Sequence, residues 1–241
     1  MVHLALLVVS FSFATFPVAG KWAMESFAPR TVATWRVFVG AAVLMTIAWR
    51  AHPKAFRLGR RDLWMCFGLS LLGVSINQIL YIEGLKRSSA TTAGLFMTII
   101  PILTSAVAVA LRQERLHLRK GLGILAATTG VGVLFFARGS RLSADHVEGD
   151  VLVILNATSY SFYLVLAKPM LKRIPSIVVI AWVFFFGALT VPLVSFGEPW
   201  VPDATPRALG ALIWILIFPT ITAYALNTWA LKRIEASVVG I

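Results

Sequence analysis

Two pairs of polar side chains stand in long apolar surroundings. Asn77 and Tyr81 are four residues apart, and Tyr224 and Asn227 three apart, so each pair falls on one face of a helix. A buried amide or phenol must find a hydrogen-bond partner. A cavity holding water or a polar solute supplies one, and so does a neighbouring helix. Both readings stand for these four residues, which are the foremost candidates for a binding cavity. Ser12, Thr15, Tyr160 and Tyr163 add hydroxyls in similar settings, with helix packing as the plainer alternative. The chemistry on offer is hydrogen bonding rather than bond making. His3, His52, His117 and His146 fall at the terminus or between apolar segments, and no metal-ligand spacing occurs. Cys66 stands alone, so there is neither a disulfide framework nor a Cys-rich metal site. Gly130-Val131-Gly132 follows no strand and is no nucleotide loop. These patterns predict no enzyme activity, no cofactor and no metal.

Four ionisable side chains lie in or beside the apolar segments: Lys21, Arg36, Glu83 and Lys168. A charge at membrane depth costs about 3 kcal/mol on insertion scales, which makes each a candidate for function. Lys21 and Arg36 lie near segment ends, where long side chains reach the interface, and snorkelling or helix packing is the expectation for both. Glu83 is expected to pair with Lys21 or Lys86, or to face water, and it is the candidate for proton coupling. Lys168 sits where a basic anchor is ordinary. If Lys21 and Lys168 both flank a cavity, Coulomb attraction in a poorly hydrated site favours a solute bearing a carboxylate or phosphate.

The elements that position these groups follow from composition. The 241 residues are 59% hydrophobic and 13% charged, against the roughly half-apolar make-up of a soluble domain. A bilayer-spanning helix needs about 20 mostly apolar residues. Eight such segments occur, at 4–24, 31–49, 63–85, 90–111, 121–137, 151–167, 176–196 and 209–231, and a ninth begins at 236. The fold class is therefore all-α, a polytopic membrane helix bundle whose partner is the lipid bilayer. A net charge of +12 invites a nucleic-acid reading, but the basic residues sit in short connections rather than on one face, which argues against it. The connections after segments two, four, six and eight hold Arg50, Lys54, Arg57, Arg60, Arg61, Arg112, Arg115, Arg119, Lys120, Lys168, Lys172, Arg173, Lys232 and Arg233. The opposite connections hold only Arg30, Lys86, Arg87, Arg138, Arg141 and Arg207. Cytoplasmic loops carry the basic excess, so the N-terminus is expected in the cytoplasm. The first segment has no basic region before it and reads as a retained helix rather than a signal peptide. In segment five, Gly123, Ala127 and Gly130 line one face with small residues suited to close helix approach. Pro17, Pro101, Pro192 and Pro219 mark places where local unwinding is expected.

The chain also repeats itself at a separation of about 147 residues. Ser12-Phe13-Ala14-Thr15-Phe16, followed by Lys21, recurs as Ser159-Tyr160-Ser161-Phe162-Tyr163, followed by Lys168. Trp35 and Gly40-Ala41 recur as Trp182 and Gly187-Ala188. Leu85-Lys86-Arg87, Ala90-Thr91 and Gly94 recur as Leu231-Lys232-Arg233, Ala236-Ser237 and Gly240. Five segments separate equivalent positions, an odd number, so the second copy must enter the membrane upside down. Inverted repeats are the architecture of secondary carriers, where two halves rock about a site near the midplane. The repeat divides the chain into 1–140, a first five-helix unit, and 147–241, an inverted second unit. That unit is expected to lack most of its fourth helix and all of its fifth.

On these features the chain resembles the drug/metabolite transporter superfamily, specifically its EamA-type ten-helix members, over essentially its whole length. The resemblance rests on Pro29 and Arg36 opening segment two, Gly84-Leu85 and Ser89-Ala90-Thr91-Thr92-Ala93 joining segments three and four, and Pro101 inside segment four. Glu114, Gly121 and Gly130-Val131-Gly132 follow, and Asn227, Ala230-Leu231, Arg233 and Ala236 repeat the joining signature. Glu83 and Lys86 are more charged than that pattern. The resemblance implies an exporter of small polar metabolites such as amino acids, in a bacterial inner membrane, with a cavity between two five-helix halves. A multidrug or lipophilic-cation exporter is the second reading, weakened because residues 4–24 contain no acid. A receptor or assembly subunit on the same scaffold is the third. Oligomeric state is not legible.

Overall fold

The computed structural model describes residues 2–114, 121–123, 125–126, 129–130, 133, 147–200 and 203–239. Among them, seven helices are long and apolar enough to cross a bilayer: α1 (Val2–Ala23), α2 (Pro29–Ala51), α3 (Arg60–Arg87), α4 (Ala90–Ala110), α5 (Val147–Leu171), α6 (Ser176–Val194) and α7 (Pro206–Leu231). The first turn of α8 follows at Ala236–Val239. No strand occurs among the described residues, so the chain is an all-α polytopic bundle. Helices α1 to α4 are the first four apolar segments, and α5 to α7 are the sixth to eighth. The fifth segment, at 121–137, is described only at scattered helical positions. Ala127, Val131 and Gly132 lie outside the described residues, as do Arg115, His117, Arg119, Lys120, Arg138, Arg141, His146 and Gly240.

Local chemistry explains where the helices begin. Pro29 and Pro206 occupy the first turns of α2 and α7, where a missing N–H leaves nothing unsatisfied. Ser89 accepts a hydrogen bond from Thr92 N at 2.9 Å and caps α4, and Thr205 accepts from Ala208 N at 3.2 Å and caps α7. Helix α4 breaks into Ala90–Met97 and Ile100–Ala110 just before Pro101. Pro192 lies in the short 3₁₀ turn Val191–Val194 that ends α6.

The wide turn around Pro219 meets the local unwinding expected there, whereas the one in α3 was not foreseen. Helix α3 contains a π segment at Leu71–Ser75, and α7 contains one at Leu216–Thr222, at equivalent places in the two repeats. In α7 the cause is Pro219, which supplies no amide proton, and Thr220 Oγ1 donates instead to Ile215 O at 2.8 Å. In α3 neighbouring helices serve the loosened carbonyls: Ser159 Oγ donates to Leu72 O at 2.7 Å, and Tyr224 Oη donates to Gly73 O at 3.2 Å. Gly73 also admits the Tyr163 ring, since a Cβ there would lie 2.4 Å from it. Pro17, by contrast, sits inside an unbroken α1.

Contacts at the helix ends fix the directions. Glu25 at the end of α1 meets Arg207 at the start of α7, 3.5 Å apart. Ser88, just past α3, donates to Asp150 at the start of α5 at 2.5 Å, and Arg173, just past α5, meets Asp62 at the start of α3 at 2.9 Å. Arg30 at the start of α2 donates to Val194 O at the end of α6 at 3.1 Å, while Trp182 in α6 donates to Phe56 O beyond α2 at 3.0 Å. Helices α1/α7, α3/α5 and α2/α6 are therefore antiparallel pairs. Because α1, α2 and α3 alternate in direction, α5, α6 and α7 each run opposite to their repeat counterparts. The α2/α6 seam shows the same exchange at residue level. A Cβ on Gly40 would lie 2.5 Å from Phe184 and 3.3 Å from Thr220, and one on its counterpart Gly187 would lie 2.6 Å from Val74. Thr220 and Val74 are themselves repeat equivalents. Small residues are needed here because apolar helices in lipid associate through close packing.

Replacing Gly187 with Leu is expected to lower the thermal midpoint of the detergent-solubilised protein, since overpacking costs about 1–3 kcal/mol. Gly210→Leu, where nothing lies within 4 Å of the added Cβ, should leave the midpoint unchanged.

Candidate functional site

A cavity of about 270 Å³ opens between the two repeats. Its walls come from α1 (Val9, Ser10, Phe13, Ala14, Phe16), α2 (Arg36), α3 (Asn77, Tyr81), α4 (Gly94, Met97, Thr98, Ile100), α5 (Asn156, Tyr160), α7 (Tyr224, Asn227) and α8 (Val239). A concave, largely apolar space with a few convergent polar groups is the common form of a small-molecule site.

The polar groups form a connected frame. Asn77 and Asn156 clasp α3 to α5: Asn156 Nδ2 donates to Asn77 O at 2.7 Å, and Asn77 Nδ2 donates to Asn156 O at 3.4 Å. Tyr224 Oη reaches Asn77 Oδ1 at 3.3 Å, and Asn227 Nδ2 donates to Tyr160 Oη at 2.6 Å. Asn156 Oδ1 and Asn227 Oδ1 are buried acceptors without a partner among the described residues. Such acceptors are costly unless something donates to them, which makes them ready receivers for an N–H or O–H of a solute.

Among the described residues, the one formal charge in the cavity wall is Arg36, only 2% exposed. Its Nε donates to Thr220 Oγ1 at 2.8 Å, and its guanidinium carbon lies 4.1 Å from the centroid of the Phe16 ring. Phe16 in turn stacks on Tyr81 with centroids 4.8 Å apart. No carboxylate pairs with Arg36 among the described residues. A guanidinium carries five N–H donors, of which one is used among the described residues. The remaining fork suits bidentate recognition of a carboxylate or phosphate.

Five of the residues singled out for hydrogen bonding share this wall: Asn77, Tyr81, Tyr160, Tyr224 and Asn227. Four others lie outside it. Ser12 Oγ is spent on Val8 O at 2.6 Å, and Thr15 Oγ1 accepts from Trp214 Nε1 at 3.0 Å, tying α1 to α7. Tyr163 is buried beneath the wall against Gly73. Lys21 donates to Lys86 O at 3.3 Å at the far end of α1, so it is an end anchor and not a cavity cation.

Of the snorkelling or helix packing expected of Arg36, the structure shows no snorkelling: Phe16 of α1 and Thr220 of α7 hold its head inside. Glu83 pairs with neither lysine but with Arg30 at 3.0 Å and Arg87 at 2.6 Å, which pins the α2 start to the α3 end. Lys168 is more than a free anchor: it meets Glu114 at 3.6 Å, and Glu114 also accepts from Ala236 N at 2.9 Å, joining α4, α5 and α8. Sequence reasoning passed over Asn156 altogether. Its only sequence signal is a lone amide in an apolar run.

An all-helical bundle of inverted halves, with a polar cavity at their seam, defines the class of multi-pass membrane transporters. The sequence profile of the EamA-like transporter family matches residues 1–136 and again 147–241, and the chain belongs to that family. It is 24% identical to the uncharacterized transporter YyaM of Bacillus subtilis over 98% of this chain and 81% of that protein. It is 25% identical to an uncharacterized transporter of Archaeoglobus fulgidus, over 99% of this chain and 83% of the relative. The plant protein WALLS ARE THIN 1 of Arabidopsis thaliana is 23% identical over 96% of this chain and 69% of its own length. A protein of known crystal structure shares the fold with a TM-score of 0.74 at 21% identity, covering 99% of this chain and 82% of that one.

Tyr224→Phe removes the donor to Gly73 O inside the π segment and the contact with Asn77. The buried carbonyl then lacks its side-chain partner, and a loss of about 1–3 kcal/mol of stability is expected, measured as a lower thermal midpoint in detergent.

Proposed function

We propose that this protein carries small carboxylate-bearing metabolites of the amino-acid type across the membrane by alternating access between its two inverted halves. The observation that carries the reading is Arg36, a buried cation in the cavity wall with most of its donors unspent. A carboxylate opposite it would gain charge-assisted, bidentate hydrogen bonds in a poorly hydrated space. The amide oxygens of Asn156 and Asn227 offer acceptors for an ammonium or hydroxyl on the same solute. The rings of Phe13, Phe16, Tyr81 and Tyr224 supply apolar walls for its carbon skeleton.

The same cation disfavours the lipophilic-cation reading, since a cationic drug would face like charge in a low-dielectric site. Export from a bacterial cell, an inner-membrane location and a cytoplasmic N-terminus are part of the proposal. The cytoplasmic N-terminus is supported by the basic excess at the ends that carry Arg50, Arg60, Lys172 and Lys232.

In reconstituted vesicles, labelled L-threonine, L-leucine and L-phenylalanine are the first probes, read by counterflow. Arg36→Gln is expected to weaken apparent affinity by at least about tenfold, the lower end for a hydrogen bond to a charged group. Lys21→Gln should leave transport within about twofold of the parent, as for a surface contact. The reverse ranking of the two variants would refute the assignment of Arg36.

A further inference from the structure

We infer that the protein binds one anionic phospholipid of its bilayer: an acyl chain lies in an apolar groove between the two repeats, and the phosphate meets Arg233 at the mouth of that groove. The site is separate from the solute cavity and does not depend on which solute is carried.

A second cavity, also of about 270 Å³, lies among Ala5 of α1, Ser176 and Ile177 of α6, and Ala225, Leu226 and Trp229 of α7. None of these six lines the central cavity. Ala225 and Trp229 are four apart and share one face of α7. All six are half-buried, and Leu4 and Val8 beside Ala5 are exposed apolar residues, so the groove looks outward to lipid. Five of the six are apolar, and a hollow of this kind excludes water and takes up hydrocarbon. Helix α1 belongs to the first repeat and α6 and α7 to the second, so the chain that fills the groove touches both.

Antiparallel pairing puts the beginnings of α1 and α6 and the end of α7 at one end of the bundle. Trp229 stands at this end of the groove, and indole rings favour the border between headgroups and chains. Arg233, one turn further on, lies over that ring with its guanidinium carbon 3.9 Å from the centroid, and donates from Nη1 to Trp229 O at 2.8 Å. The ring thus holds the cation at the mouth. Other cations gather there: 168–176 and 229–236 hold Lys168, Lys172, Arg173, Lys232 and Arg233 against one acid, Glu235. Glu114 answers Lys168 and Asp62 answers Arg173. Lys172, Lys232 and Arg233 are exposed, and no carboxylate pairs with them among the described residues. A phosphate beside Arg233 gains charge-assisted hydrogen bonds from a guanidinium already held in place. Anionic headgroups are drawn to such cations at a membrane surface. Hydrocarbon below and positive charge above match a phospholipid, whereas a water-soluble anion leaves the groove unfilled.

The test uses the purified 241-residue chain in dodecyl maltoside, titrated with dioleoyl-phosphatidylglycerol or with dioleoyl-phosphatidylethanolamine. Native mass spectrometry counts the retained lipid, and the thermal midpoint is read alongside. One phosphatidylglycerol per chain is expected at concentrations where phosphatidylethanolamine stays unbound, with a rise in the midpoint because a ligand of the folded state stabilises it. Glycerol 3-phosphate, which has the charge without the chains, should leave the midpoint unchanged. Arg233→Gln should weaken apparent affinity for phosphatidylglycerol by about fivefold, the loss of one interfacial cation, and Arg233→Lys should retain most of it. Ala225→Phe fills the groove and should abolish retention of the tight lipid. Equal retention of the two lipids by the parent chain would overturn the inference without recourse to any variant. Undiminished affinity in folded Arg233→Gln or Ala225→Phe protein would overturn the place given to the phosphate or to the chain, and a lipid-free dimer broken by Ala225→Phe would assign the groove to a second copy instead. Amino-acid transport enters none of these readouts, so failure of the proposed solute leaves them intact.

Discussion

A positive charge held inside an apolar bundle is the constraint around which this protein is arranged. Arg36 lies on α2, surrounded by helices that would exclude an ion on composition alone, and its head is kept from the interface by Thr220 and the face of Phe16. Neither contact neutralises it. Holding the group there requires a wall of dipoles and rings close by, and Tyr81, Tyr224 and Phe16 provide that wall. The cavity at the seam gives the spare donors somewhere to act. Charge, cavity and seam thus form one unit.

The inverted repeat makes such a seam possible. Antiparallel pairing of α1 with α7, α3 with α5 and α2 with α6 brings equivalent elements together across a pseudo-two-fold. Gly40 and Gly187 show how tightly, since neither position admits a Cβ. Both third helices widen into π segments where they border the seam; in α3 this hands carbonyls to Ser159 and Tyr224 of the opposite half, and in α7 to Thr220 of the same helix. Helix–helix contacts made through side chains can be exchanged for others more readily than a main-chain ladder. That property suits a pair of halves that must slide.

Much of this was legible in the residues. The lengths of the apolar segments placed the helices within a few positions, and the odd number of segments between matching motifs required the inversion that the end-to-end contacts display. The helical spacing of Asn77 with Tyr81, and of Tyr224 with Asn227, put four residues on the faces that meet the cavity. What was not legible depended on depth and direction. Lys21 and Arg36 look alike as basic residues near segment ends, but Lys21 points to the Lys86 carbonyl at the helix end while Arg36 is folded inward by the ring of Phe16 on another helix. The π segment in α3 lacks a proline to announce it. Asn156 gave no pattern because its partner, Asn77, lies on another helix. Glu83 chose Arg30 and Arg87 over the lysines because the α2 start lies beside the α3 end, a tertiary fact.

The most direct measurement is a structure determined with a saturating amino acid such as L-leucine present. The account predicts its carboxylate within hydrogen-bonding reach of the Arg36 guanidinium, about 3 Å, with its polar group turned to Asn156 or Asn227. A solute bound elsewhere, with the cavity beside Arg36 vacant at saturation, would contradict it.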